Sequence, residues 1–206
     1  MDVAMGDRIK TDNKGQVQLV FSDSTRLVVG PGSSLVVEAY LLRSENRANN
    51  FTIRALGGSF RMITGKSKKK AYKIKTPTAT IGVRGTSFDF TVQTNGTGLV
   101  LFNGQAELCR IGGECRIMDS RCSIAQVRGN RDPRMLTGKE DRRAEIRQHF
   151  PYILSQRTLR RDFRIRRTGC GDVARAPRSI TGDRERDARE PRDRPTNNDN
   201  GNGLPR

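Results

Sequence analysis

Alternation of apolar and polar positions dominates the first 130 residues. "GQVQLVF" (15–21) places Val17, Leu19 and Phe21 on one face, the two-residue period of a half-buried strand. "STRLVV" (24–29) and "SSLVVEAYLL" (33–42) continue the pattern across the "GPGSS" break. "NNFTIRALGGSFRMIT" (49–64) reads as two strands joined by a turn at Gly57-Gly58. In "KIKTPTATIGVRGTSFDF" (73–90), a strand meets a Thr-Pro break, a second strand meets an Arg-Gly-Thr corner, and a third follows. Pro77 cannot donate to a ladder and holds Thr76 extended, while Gly82 and Gly85 supply bends. "TNGTG" (94–98) is a hairpin signal, and Asn103-Gly104 in "LVLFNGQAELC" is another. "GGECRIMDS" (112–120) and "RCSIAQVRG" (121–129) add two short strands. Roughly ten to twelve strands at close spacing predict a mainly β chain, a sandwich or a β-solenoid of short strands.

The period changes after residue 130. "TGKE" (137–140) has the form of a capping box, with Thr137 as N-cap and Glu140 three residues on. Acidic residues come early and basic ones late in "KEDRRAEIRQHF", which suits a helix dipole. Pro151 interrupts, and "YILSQRTLRRDF" (152–163) predicts a second short helix with Ile153, Leu154 and Leu159 turned to the core. From Gly182 on, the chain has almost nothing to bury, so its ordering entropy is not offset. Three regions follow: a β domain over 1–130, a helical extension over 131–172, and a disordered basic tail over 173–206.

Composition narrows the functional classes. Apolar residues are 33% of the chain and charged ones 30%, with a net charge of +17. Such a surface favours anionic partners. "TGKSKKKAYK" (64–73) gathers Lys66, Lys68, Lys69, Lys70 and Lys73 around Tyr72, and "RTLRRDFRIRR" (157–167) interleaves arginines with Phe163. Both fit a nucleic-acid or polyanion binder, or plain solvated charge. With aromatics at 5% and no Trp, a base-stacking platform is weakly supplied. Arg84, held at a bend, either faces a ligand or partner or bonds local carbonyls to set the corner.

Catalytic chemistry has little to stand on. The one histidine, His149, sits on the predicted helix near Phe150 and reads as a surface or packing residue. Asp7, Asp23 and Asp89 read as turn or strand-edge caps. No phosphate loop or nucleotide fingerprint occurs. Cys109, Cys115 and Cys122 have spacings unlike a metal knuckle; with Cys170 they form an even set, which fits two disulfides in an oxidising compartment. Free thiols are the alternative, and four cysteines allow three pairings. Cys170 lies where it can tie the helical unit back to the 109–122 region. No cofactor and no metal is expected. No apolar stretch is long enough to span a membrane, and "MDVAMGDRIK" lacks the plan of a signal peptide. The chain is therefore either cytoplasmic, or exported by a leader upstream of this sequence; the cysteines favour export.

These residues also carry a family resemblance. Gly6, Asp7, Ile9 and Thr11, the turn Asp23-Ser24-Thr25, the step Pro31, Ser34 and Leu35, and the run Thr76, Pro77, Ala79, Val83, Arg84, Gly85, Thr86 and Phe88 resemble a FecR-type domain over residues 5–108. The resemblance implies a periplasmic, strand-built, non-enzymatic sensor that recognises a protein or cell-envelope ligand. In the family's namesakes such a domain passes a signal from an outer-membrane receptor to a sigma factor. Neither an N-terminal cytoplasmic helical segment nor a transmembrane helix is seen here, so the chain resembles the stand-alone FecR-domain proteins.

Overall fold

Three long strands, β5 (Arg47–Ile63), β7 (Ala79–Gln93) and β8 (Gly96–Arg110), organise the molecule in the computed structural model. The structure describes residues 2–44, 47–65 and 72–174. Shorter strands line both ends of the long ones. β4 (Ser34–Ser44) and β6 (Tyr72–Lys75) join the first half of β5, β1 (Arg8–Lys10) pairs on the outer edge of β4, and β9 (Cys115–Met118) joins the second half of β8. β2 (Val17–Val20), β3 (Arg26–Val29), β10 (Ile124–Arg128) and β11 (Arg134–Met135) complete the other half of the same sheet. The long strands change neighbours midway. β5 pairs in parallel with β6 over 51–54 and antiparallel with β7 over 58–63; β7 pairs with β6 first and with β5 afterwards.

Each long strand bends at a glycine with positive φ: Gly58 (104°), Gly85 (63°) and Gly104 (83°). A Cβ on Gly104 would lie 2.3 Å from the Gly85 carbonyl oxygen, and one on Gly58 would lie 2.1 Å from Ser33 Oγ. Two bent strands therefore touch backbone to backbone at the corner, which only glycine permits. Gly57-Gly58 and Asn103-Gly104 are thus bends inside continuous strands, not the chain reversals their composition suggested. At Gly104 the partner strand β7 runs on past the bend, and at Gly58 β4 pairs the chain up to Gly57 and β7 takes it over from Gly58, so the chain stays extended on both sides. The true reversal is Thr94-Asn95, where Gln93 pairs with Gly96.

Folding the sheet back on itself brings alternate residues of both halves into one core. Leu27, Val29, Phe60, Met62, Phe88, Phe90, Leu99 and Leu101 meet Leu35, Val37, Phe51, Ile53, Ile74, Ile81 and Leu108 there. Phe60 and Phe90 are register partners and stack with centroids 4.7 Å apart, a contact of about 1 kcal/mol beyond simple burial.

The other face of the second half carries Val28, Arg61, Asp89, Val100, Phe102 and Ile124. These are fully buried as well, because the C-terminal extension covers them. α1 (Lys139–His149) and α2 (Pro151–Leu154) supply Ile146, Phe150, Tyr152 and Ile153, and a 3-10 turn at Arg161–Phe163 supplies Phe163. α3 (Gly171–Ala174) contributes Val173, so packing reaches one residue past the boundary expected at 172. α1 starts from Gly138 without a side-chain cap, so Thr137 is not the N-cap. The second helix is one turn, not twelve residues; Ile153 and Leu159 are buried, but Leu154 is 46% exposed. The tail from 175 on lies outside the described residues. Among them, no helix is long and apolar enough to cross a membrane.

Candidate functional site

Strand alternation aims Arg61 and Asp89 away from the main core, and register places them opposite each other on β5 and β7. Arg61 Nε donates to Asp89 Oδ1 at 2.7 Å and Nη2 to Oδ2 at 2.9 Å, a bidentate pair. The extension completes the shell. Tyr152 O accepts from Nη2 at 3.1 Å, Gln156 Oε1 accepts from Nη1, and the guanidinium carbon sits 5.4 Å from the Phe102 ring centroid and 5.6 Å from that of Tyr152. Arg61 is 0% exposed and Asp89 1%. Burial pushes the Asp89 carboxyl above the ordinary range, and the Arg61 charge opposes that push. Burial next to the same pair pushes the Tyr152 hydroxyl up to about 12. Asp89 is therefore not a strand-edge cap. Asp7 and Asp23 do cap turns: Asp7 Oδ2 accepts from Ala4 N, and Asp23 Oδ1 from Thr25 N.

Gln156 links this pair to the loop beyond it. The side chain that accepts from Arg61 also accepts from Ile165 N at 2.8 Å and donates to Ile165 O at 3.1 Å. It closes residues 156–165 like one rung of a ladder. Leu159 and Phe163 plug this loop onto Val28, and Gln16 and Gln18 of the β2 region hold its backbone through Thr158 O and Arg160 N. A second clamp is covalent: Cys170 is bonded to Cys122 across the covered face. Cys109 is bonded to Cys115, its register partner on β9. With both sulfurs oxidised, the cluster of Glu107, Cys109 and Cys115 offers no thiolate to a metal.

The Thr-Pro break and the Arg-Gly-Thr corner of the 73–90 run are each held by named partners. Thr76 Oγ1 accepts from Ala79 N at 2.9 Å and lies 2.7 Å from Thr97 Oγ1, which ties the Thr-Pro break to β8. Arg84 sits in β7 opposite Gln105, one residue before the Gly85 bend. Lys66, Lys68, Lys69 and Lys70 lie outside the described residues. Tyr72, in their midst, is a core residue 2% exposed, and Phe163 among the arginines is 1% exposed. Neither can stack on a base, which corrects the interleaved-aromatic reading. His149 is half-buried; desolvation lowers its pKa and Arg128 adds to this, while Glu145 opposes it.

Sequence reasoning missed the Arg61–Asp89 pair and Gln156. A signal was present: each charge stands between two core residues, Phe60 and Met62 or Phe88 and Phe90, in a central strand.

Fold and site together define a bent, strand-built domain whose outer face is closed by its own extension and locked by a disulfide. Residues 7–107 match the family model described as FecR protein, and this part of the chain belongs to that family. Two crystal structures of a candidate anti-sigma factor from Parabacteroides distasonis share the fold, each with a TM-score of 0.51 at 13% identity. The likeness covers 63% of this chain and 58% of theirs, so this chain spans less than two thirds of their length. The comparison with curated proteins gives no match.

Proposed function

We propose that this chain is an exported, non-enzymatic sensing module whose FecR domain recognises a protein or cell-envelope ligand in the periplasm or outside the cell. The observation that carries the reading is a FecR domain in a chain whose four cysteines, all beyond the matched residues, are paired in two disulfides. Disulfides persist in oxidising compartments and are rare where thiols are kept reduced. The regulatory role is supported by the family and by the candidate anti-sigma factor of like fold. The absence of catalysis is supported by how its titratable groups are spent: Asp89 on Arg61, and the four cysteines on each other. Arg84 at the corner and the 66–70 lysines are the sequence's own candidates for contacting the partner. The rival, a nucleic-acid binder, is disfavoured because all eight phenylalanines and Tyr72 and Tyr152 are buried and Tyr40 packs on the core, leaving no stacking platform.

Fractionation of the cells that make the protein, with thiols counted by mass, tests the location; capture by a cross-linker at Arg84→Cys tests the partner. Recovery from the envelope fraction with no free thiol and a cross-linked protein is the expected result. Recovery from the cytoplasm with four reduced cysteines overturns the reading.

A further inference from the structure

The loop that covers Arg61 has an outward side that the fold does not explain. Residues 157–167 hold six arginines and one acid, Asp162. Every one of the six arginines is exposed. Arg164 is used internally: its Nε donates to Leu159 O at 2.8 Å and its Nη2 to Arg157 O at 3.1 Å. The other five, Arg157, Arg160, Arg161, Arg166 and Arg167, make no side-chain hydrogen bond and no ion pair among the described residues. Elsewhere some surface cations are paired, as Arg54 and Lys75 are with Glu38 and Arg110 with Asp132, while exposed Arg8, Lys10 and Arg116 have no ion pair among the described residues; what sets the loop apart is six arginines gathered within residues 157–167.

The backbone beneath these arginines is fixed. Gln156 closes it, the β2 glutamines hold it, and Leu159 and Phe163 are plugged into the face below, 1% exposed each. Close like charges repel, so pinning them together opposes folding rather than assisting it. A local conflict of this kind marks a surface kept for a partner.

We infer that the Arg157–Arg167 loop is a preformed binding surface for the phosphates of an anionic lipid layer. The guanidinium fork bonds phosphate oxygens in pairs and keeps its charge at every relevant pH. Five free forks on one short, fixed loop match a sheet of repeated headgroups. The aromatic rings are buried, so unpaired bases have nothing to stack on and the guanidinium forks themselves are the loop's means of recognition. The inference rests on the envelope location proposed above and adds a second contact, independent of whatever protein the FecR domain senses.

The test uses the purified full chain with its disulfides intact and vesicles of phosphatidylcholine with or without phosphatidylglycerol. One variant carries Arg→Gln at 157, 160, 161, 166 and 167, with Arg164 kept to hold the loop. A charge-matched control carries Lys→Gln at 66, 68, 69, 70 and 73. Each arginine near an anionic surface is worth about fivefold in partition, so the loop variant should lose at least about tenfold in binding to the anionic vesicles. The control should lose only about twofold, and the loop variant should melt no lower than the unmodified chain, because removing clustered like charges relieves repulsion. Equal losses in both variants would reduce the effect to bulk charge and overturn the site. So would an unaffected loop variant, or tighter binding to polyglutamate or duplex DNA than to the vesicles at the same ionic strength. Because purified protein suffices, failure here leaves the cellular location untouched.

Discussion

Removing the charge of Asp89 while keeping its shape isolates what the covered face depends on. In Asp89→Asn, the Arg61 guanidinium stays buried at 0% exposure and loses its counter-charge. It keeps Tyr152 O, Gln156 Oε1 and two aromatic faces. Stripping one partner from a buried pair costs about 3–5 kcal/mol, because the remaining ion has no water to turn to. Arg61's surviving contacts place the expected loss at the lower end, about 3 kcal/mol. For a chain of this size that lowers the melting temperature by roughly 6–12 °C. The partner experiment is the double variant Arg61→Met/Asp89→Leu, which removes both charges and refills the space with apolar atoms. Such replacements are typically neutral or stabilising by about 1–4 kcal/mol. Urea unfolding under non-reducing conditions reads both variants. If Asp89→Asn loses less than about 1 kcal/mol, the pair is wetter than its burial indicates. If the double variant is as unstable as the single one, the cost lies in lost shape, and the argument from an uncompensated charge is refuted.

Three further outcomes follow from particular contacts. Gly104→Ala puts a Cβ 2.3 Å from the Gly85 carbonyl oxygen at a φ of 83°, and should cost more than about 2 kcal/mol by chemical denaturation, whereas Gly112→Ala, with open space around it, should cost only the strain of its own φ. Cys122→Ser/Cys170→Ser opens a loop with a sequence separation of 48 and should lower stability by about 4 kcal/mol, against about 2 for Cys109→Ser/Cys115→Ser with a separation of 6, provided chain entropy dominates; equal losses would refute that ordering. His149 should titrate below the usual histidine value in an NMR pH series, where it gives the only imidazole signal; because folding lowers its pKa, its contribution to stability is present above the unfolded value and fades as pH falls from there toward the folded one, and a normal midpoint would show that the site is hydrated.

Much of this protein was legible from local chemistry. Two-residue alternation predicted the strands from Val17 to Val29 and from Ile124 to Arg128, because a half-buried strand records its environment in every second residue. The run from Thr76 to Phe88 carried its own bends, and the even set of cysteines implied bridges. Direction changes were legible, but their kind was not. Glycine reports a freed φ; whether the chain then reverses or only bends is settled by the strand alongside, as at Gly58 and Gly104. Nor could alternation reveal that the polar-facing side of β5 and β7 would be buried. Asp89 reads as a strand-edge cap, and Arg61 draws no reading of its own, until an extension that reaches back over 91 residues from Tyr152 to Arg61 folds over them, and that cover is decided by contacts between distant segments. Local periodicity thus determined which residues pair off into strands and which turn outward. Only the tertiary structure decided that outward could mean a second interior, because burial is a property of what lies across a face and not of the face itself.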